Sequence, residues 1–316
     1  MTALLEAIPN VSEGRRPEVV DHLAAAAAGA AGVTLLDRCS DPDHHRSVLT
    51  LAGSAPDLIA ALLALYEVAV AEIDLTRQRG VHPRVGAVDV VPFVPLFSGR
   101  ASGATPSERA FGATPSEHAS VAAAPMAVAV AAARALGEEV AARFGIPVYL
   151  YEEAATRPER RRLPDIRRGG FEGFAARIAA PGWEPDFGPR RVHPTAGVSV
   201  IGARWFLIAF NAVLDTADPA IAREVARAVR ESSGGLPAVR AIGVLLASRG
   251  LAQVSMNLLD YRRTSIADAL AAVEAEAARR GARVVDTEVV GLVPEAAVCG
   301  TLGADRVLER RLPPAS

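Results

Sequence analysis

The sequence predicts an α+β protein of two similar subdomains, each with the element order βαββαβ and a mainly antiparallel sheet with helices on its outer face. First, 50% of the 316 residues are hydrophobic, which is enough for the cores of two domains. Second, strand-length apolar runs and longer amphipathic runs follow in the same order in both halves of the chain. A ligand cleft is expected between the subdomains, where pockets are common.

Prolines and glycines mark the ends of the elements in the first half of the chain. Pro17 and Pro56 each stand at the first turn of a predicted helix, where a missing amide hydrogen is tolerated. Gly53 closes a strand and Gly145 closes a helix. The predicted elements are a strand at 4–8, a helix at 17–30, strands at 33–37 and 47–52, a helix at 56–75, a strand at 88–94, a helix at 116–144 and a strand at 147–151.

The second half repeats this pattern. Arg249-Gly250 separates two apolar runs and indicates a hairpin. Thr264 or Ser265 can cap the helix that follows. The predicted elements are a strand at 205–214, a helix at 219–231, strands at 239–248 and 251–259, a helix at 264–280 and a strand at 284–292.

Two segments connect these elements. Residues 157–173 are rich in arginine, proline and glycine, which is typical of a domain boundary. We therefore place the subdomains at 1–178 and 179–316. Gly-Ala-Thr-Pro-Ser-Glu occurs twice, at 103–108 and 112–117, and its Pro-Ser-Glu part suits a helix start. The role of this repeat stays open.

The composition excludes several classes of protein. Lysine plus arginine number 34 against 36 acidic residues, so no basic excess indicates a nucleic-acid partner. The chain has no lysine, which excludes Schiff-base lysine chemistry and the P-loop. Cys39 and Cys299 cannot form a disulfide framework and suit a reducing compartment. With no signal-peptide pattern and no membrane-length apolar run, the sequence predicts a cytoplasmic protein without a membrane partner.

The loop Gly80-Val81-His82-Pro83-Arg84-Val85-Gly86 carries the strongest chemical signal. Pro83 restricts the backbone of His82 to extended conformations. A histidine that is held beside an arginine suits a general base near neutral pH. The local sequence also permits a simple turn whose histidine caps the next strand.

A second polar loop precedes the strand at 47–52. His44 and His45 lie beside Asp41 and Asp43, a composition that binds metals in some proteins. Neighbouring strand residues point to opposite faces, so one histidine at most is expected to face a given site. A polar loop that contributes one side chain to a cleft is the preferred interpretation. Arg46 can bind a carboxylate ligand there, or form a surface salt bridge.

Two further features admit two readings each. Arg167-Arg168-Gly169-Gly170-Phe171 suits an anionic ligand with a flat ring, or a linker between domains. Its glycines match neither the dinucleotide fingerprint nor the P-loop. Asn211 and Asn257 lie within apolar strands, where they either bind each other or line a cleft.

Taken together, these stretches resemble one family, the glutamate formiminotransferases, which form the transferase part of formiminotransferase-cyclodeaminase. The two longest matches are Ile-Pro-Asn-Val-Ser-Glu-Gly at 8–14 and Gly-Val-His-Pro-Arg-Val-Gly-Ala-Val-Asp at 80–89. The others lie at 147–151, 163–172, 183–189, 206–211, 251–260 and 290–294. The resemblance therefore runs in order along nearly the whole chain, without a cyclodeaminase domain.

The resemblance implies transfer of a formimino group from N-formiminoglutamate to N5 of tetrahydrofolate, the co-substrate, without a metal. It implies two similar α/β subdomains with a ligand tunnel between them, and a homodimer. His82 is then the catalytic base. Substrate-binding residues are expected at Asn10, Ser12, Glu13, Arg46, Arg84, Gly86, Asn211 and Asn257. The folate segment is expected at Leu163, Pro164, Asp165, Ile166, Arg167, Arg168, Gly169, Gly170, Phe171 and Glu172.

The chain departs from the family pattern at four places. Cys39 replaces an aspartate, and the loop at 41–47 differs in sequence from the family loop. Ala196 replaces an aromatic residue, and a basic loop is shortened to 232–237. The alternatives are therefore the same transfer from N-formiminoglycine or from a formyl donor, and a folate-binding protein without activity.

Overall fold

A computed structural model describes residues 3–96, 115–298 and 306–312. Contacts divide these residues into a unit that ends at Arg204 and a unit from Trp205 to Leu312. Strand β7 (Ser199–Ala203) pairs within the first sheet, so residues 179–204 group with the first unit and not with the second as the sequence suggested. The hexapeptide at 103–108 and Cys299 lie outside the described residues.

The first unit follows the order predicted from the sequence, with additions. Its predicted strands and helices are confirmed, and β3 is longer than expected because it forms a hairpin with β4. The elements are β1 (Leu4–Ala7), β2 (Asn10–Val11), α1 (Pro17–Ala28), β3 (Val33–Asp41), β4 (Arg46–Ser54), α2 (Ala55–Glu72), β5 (Val88–Pro95), α3 (Pro115–Phe144), β6 (Val148–Glu152), α4 (Leu163–Ile166), α5 (Gly170–Ala179) and β7.

The first sheet places β1 between β4 and β5, and β3 pairs with the other edge of β4. All these pairings are antiparallel, so these four strands have the order β5-β1-β4-β3. Strand β2 continues the line of β1 between the same two neighbours. On the far side of β5, β7 and then β6 extend the sheet in parallel. The sheet is therefore antiparallel at one end and parallel at the other.

Three helices pack against one face of this sheet and bury it. Leu23 of α1, Tyr66 of α2 and Leu136 of α3 are fully buried together with Leu49 and Leu51 of β4. Ser54 caps α2 by accepting a hydrogen bond from the Asp57 amide, which fixes where the helix begins. This apolar contact is the main source of stability of the unit.

The residues expected to form a linker instead pack on the opposite face of the sheet. Ile166 of α4 and Phe174 and Ile178 of α5 are buried against Tyr149 and Val200 of β6 and β7. Ile166, with Phe174 and Ile178 four residues apart on α5, anchors a segment whose arginines and glycines suggest a boundary. The segment 163–172 is therefore part of the first unit.

The second unit repeats the same topology. Its elements are β8 (Ile208–Leu214), α6 (Pro219–Val229), β9 (Val239–Leu246), β10 (Leu251–Leu258), α7 (Ile266–Ala278) and β11 (Val284–Val290). The sheet order β11-β8-β10-β9 is fully antiparallel and matches β5-β1-β4-β3 strand for strand. The predicted pair of related α+β subdomains is therefore confirmed. Ser265 forms a capping box with Asp268. Of the two candidates, Thr264 and Ser265, it is therefore Ser265 that caps α7.

Within the described ranges, no helix is both long and apolar enough to cross a membrane.

Candidate active site

The loop that carries His82 is fixed at its C-terminal end by close backbone contacts. Gly86 and Gly197 form an antiparallel bridge, and a Cβ atom on Gly86 would lie 1.9 Å from the Val198 carbonyl oxygen. The Ser12 hydroxyl donates to the Gly86 carbonyl at 2.7 Å. Gly86 and Ser12 thus position the loop through its backbone.

The other end of the loop packs on the turn between β3 and β4. A Cβ atom on Gly80 would lie 2.4 Å from the His44 carbonyl oxygen, so only glycine allows this approach. The Val81 amide donates to the Asp43 carbonyl at 3.1 Å. The His82 loop and the turn at 42–45 therefore form one packed surface.

This packing brings the His82 ring to Arg46, the first residue of β4. Arg46 Nη1 lies 2.9 Å from His82 Nε2. A guanidinium can only donate, so Nε2 is the acceptor nitrogen and the ring proton is on Nδ1. His82 Nδ1 is buried and has no hydrogen-bonding partner among the described residues. A buried N–H without a partner is unfavourable and is satisfied when a ligand or water accepts from it.

The surroundings of His82 are cationic. Burial lowers the pKa of His82 well below its usual value, and the charges of Arg46 and Arg167 and the nearby His44 lower it further. Burial, with the charge of Arg167, also lowers the pKa of Arg46 to about 10, which leaves it charged at neutral pH. The imidazole is therefore in the neutral form that a general base requires, and the positive charges of the site attract anions.

Asp89 anchors the cationic side of the site, a role that was not assigned from the sequence. Its carboxylate is buried and accepts from the Val85 and Gly86 amides through Oδ1, and from Arg167 through Oδ2. One carboxylate thus joins the loop after His82 to the segment at 163–172. Its signal in the sequence is a single acidic residue at the start of an apolar strand, which requires a cationic partner.

His44 and His45 face different surroundings, as expected, although they lie in a turn and not on a strand. The His44 ring lies 5.8 Å from the His82 ring, centroid to centroid. His45 Nε2 lies 3.1 Å from Glu13 Oε1 and its Nδ1 lies 2.9 Å from the Arg79 carbonyl. His45 therefore ties the turn to the neighbouring segments and does not face the same site as His44.

Glu13 stabilises the turn that follows β2. Its carboxylate is buried and accepts from the amides of residues 14, 15 and 16 and from the Arg16 side chain. These bonds and His45 hold the pKa of Glu13 far below its usual value, although burial opposes this. Glu13 is thus fully occupied by the chain's own donors, and so it positions the site.

Arg84 also has partners within the chain. Its Nη2 donates to Glu172 Oε1 at 2.9 Å and to the Gln78 carbonyl at 2.8 Å. The Phe171 amide donates to the Arg84 carbonyl at 2.8 Å. Arg84 therefore joins the His82 loop to the start of α5.

The remaining predicted residues make contacts of their own. Asn10 Nδ2 donates to the Ile8 carbonyl at 2.9 Å within its own turn. Arg168 pairs with Asp165 on the surface of the segment at 163–172. Asn211 and Asn257 lie on neighbouring strands of the second unit, where Asn211 donates to Glu288 and Asn257 is exposed. Their part in a site stays a prediction.

Comparison with known proteins decides the family. The family model for the N-terminal subdomain of the formiminotransferase domain matches residues 4–204, and the model for the formiminotransferase domain matches 209–304. The chain belongs to the formiminotransferase family. The two models meet where the contacts divide the chain, and the resemblance noted in the sequence is confirmed.

Curated relatives of the formiminotransferase chain come from bacteria, archaea and animals. It is 40% identical to the glutamate formimidoyltransferase of Streptococcus pyogenes serotype M1, over 94% of this chain and 91% of the relative. It is 41% identical to the protein of the same name from Thermoplasma acidophilum, over 94% of this chain and 90% of the relative. It is 38% identical to the formimidoyltransferase-cyclodeaminase of Sus scrofa, over 93% of this chain and 51% of that protein.

The turn with His44 and His45 has the composition of some metal sites. Within the described part of this formiminotransferase, no three histidine, cysteine or carboxylate residues are grouped so that they could hold a metal ion. The backbone amides of Asp43 and His44 both donate to Asp41 Oδ1 at 2.8 Å, which folds the loop as a turn. Asp41 is therefore used by the turn itself.

Proposed function

We propose that this formiminotransferase transfers the formimino group of N-formiminoglutamate to N5 of tetrahydrofolate, giving 5-formiminotetrahydrofolate and glutamate. The observation that carries the proposal is a histidine kept neutral among arginines, with one buried ring nitrogen that has no hydrogen-bonding partner among the described residues. The names of the bacterial and archaeal relatives support the same reaction.

The chemistry requires one group that takes a proton and later returns it. As N5 attacks the amidinium carbon, an N–C bond forms and the N5 proton moves to the His82 imidazole. The C–N bond to glutamate then breaks, and His82 returns the proton to the leaving nitrogen. The amidinium carries its own positive charge, so its carbon is electrophilic without a metal.

Arginines suit the carboxylates of the two substrates. Arg46 lies beside His82 and is assigned to the donor, whereas Arg84 supports the loop through Glu172. The segment from Leu163 to Glu172 is assigned to tetrahydrofolate, and its Arg167 is joined to the His82 loop through Asp89. Ser12, Glu13 and Gly86 then act by positioning the backbone around the donor.

The proposal includes the cytoplasm as the compartment and a homodimer as the assembly, both from the resemblance to the family. Light scattering of the purified protein tests the dimer directly. A mass equal to one chain at micromolar concentration would contradict it.

An assay of the purified protein, without added metal, tests the reaction. Tetrahydrofolate is mixed with N-formiminoglutamate, N-formiminoglycine or N-formylglutamate, and the product is converted by acid to the methenyl form, which absorbs in the near ultraviolet. We expect turnover with N-formiminoglutamate to exceed that with the other donors. Faster turnover with another compound would mean that this compound is the donor. Binding of tetrahydrofolate without turnover of any donor would favour a folate-binding protein without activity.

The pH dependence of the reaction tests the state of His82. Because its burial and the charges of Arg46, Arg167 and His44 lower the pKa, the neutral base persists below the usual histidine pKa of about 6.5. Protonation inactivates the base, so we expect the acid limb of kcat/KM below pH 6.5. Rate measurements between pH 5 and 8 check this. An acid limb above pH 7 would contradict a base held neutral by these groups.

A further inference from the structure

His82 Nε2 is occupied by a hydrogen bond within the chain. The lone pair on Nε2 accepts the hydrogen bond from Arg46 Nη1 at 2.9 Å, and the other ring nitrogen carries the proton. Neither nitrogen can then accept a proton from a substrate. The transfer therefore needs a change at Arg46 before His82 acts as a base.

Arg46 differs from the other two arginines near the loop. Arg167 is paired with Asp89, and Arg84 is paired with Glu172. In the parts of the chain that the structure describes, no ion pair joins the Arg46 guanidinium to a carboxylate, although the residue is half-buried. Its hydrogen bond to a neutral ring leaves most of its five donors for an anion.

We propose that Arg46 is a positioning residue that blocks the base until the donor binds: a carboxylate of the donor binds the Arg46 guanidinium and withdraws it from His82 Nε2. This step deepens the proposed function and rests on it for the identity of the donor. A carboxylate forms shorter and stronger hydrogen bonds with a guanidinium than a neutral imidazole does, so the exchange is favourable.

The charges in the site favour the same sequence of events. Arg46 in contact with His82 makes the imidazole a weaker base, because its positive charge opposes protonation of the ring. A bound carboxylate neutralises this charge at the moment when the Nε2 lone pair becomes available. Binding of the donor thus has two effects at once: it frees the Nε2 lone pair of His82 and makes the imidazole a stronger base.

Donors with and without carboxylates separate this role from simple substrate binding. We compare wild type, Arg46→Met and Arg77→Met with N-formiminoglutamate and with formamidine, which has no carboxylate. Arg77 is an exposed arginine 3.9 Å from Asp74 and is the matched control. With formamidine we expect Arg46→Met to be faster than wild type by about tenfold, the factor for one charge-assisted hydrogen bond. With N-formiminoglutamate we expect it to be slower.

The sign of the change with formamidine decides the outcome. An unchanged rate would mean that Arg46 only binds the donor, and a lower rate would mean that it supports the structure or the reaction directly. Both results would overturn the proposal. The control Arg77→Met is expected to match wild type with both donors.

A measurement without turnover keeps the proposal testable if the reaction itself is wrong. Nitrogen NMR of the protein with labelled histidine reports the His82 Nε2 signal with and without glutarate, a dicarboxylate that lacks a transferable group. We expect glutarate to shift this signal in wild type and in Arg77→Met but not in Arg46→Met. An unchanged signal in wild type overturns the proposal. If the protein turns over no donor and glutarate still shifts the His82 Nε2 signal as expected, the role of Arg46 is supported. Only the proposed function then fails.

Discussion

His82→Ala is expected to lower kcat for formimino transfer by about 10²-fold or more, the usual contribution of a general acid-base group. The substitution removes the imidazole that takes the N5 proton and returns it to the leaving nitrogen. Arg46 and the folate segment at 163–172 do not depend on the ring for their backbone positions, since the loop is held by Gly80, Ser12 and Gly86. KM is therefore expected to change less than kcat.

The control for this prediction is a histidine that lies elsewhere on the same unit. His22 is exposed on α1 and pairs with Glu72, so His22→Ala removes an imidazole without reaching the site. Steady-state rates with N-formiminoglutamate and tetrahydrofolate compare the two variants. If His82→Ala keeps more than about a tenth of wild-type kcat, another group serves as the base.

Asp89→Asn is expected to lower the free energy of unfolding by about 3–5 kcal/mol, the cost of breaking a buried ion pair by removing one charge. Asp89 and Arg167 are both nearly inaccessible to water, with side-chain exposures of 3% and 11%. The amide keeps an oxygen for the Val85 and Gly86 amides, but it leaves the Arg167 charge without compensation. Urea denaturation measures the change.

An exposed pair provides the matched control. Asp286 lies 3.0 Å from Arg249 on the second unit, and both side chains are about half exposed. Asp286→Asn makes the same chemical change and is expected to cost about 0–1 kcal/mol. Equal losses in the two variants would show that the Asp89 pair is not buried as the structure places it.

The proposal that His82 is the base comes from the sequence, because it rests on short segments. Pro83 restricts His82, and the glycines at 80 and 86 allow backbone approaches that a Cβ atom would prevent. The βαββαβ order was readable for a similar reason, since apolar spacing along strands and helices is a local property. These features depend on residues close in the chain.

Other features depend on contacts that spacing does not reveal. Strand β7 was missed because its five residues include Ser199 and Gly202, and its strand character comes from parallel pairing with β5 and β6. The arginines and glycines of the segment at 157–173 indicate a domain boundary. Burial of Ile166 and its neighbours against β6 and β7 outweighs that composition.

By itself the sequence determined the fold class, the duplication and the family, because local patterns and motif order carry them, and it supplied the proposal that His82 is the base. Only the tertiary structure decided how the arginines divide their roles. Arg84 and Arg167 are neutralised by Glu172 and Asp89, 88 and 78 residues away in the chain, whereas Arg46 meets the imidazole. The energy of a buried charge depends on which groups surround it in space, and the chain order does not fix those neighbours.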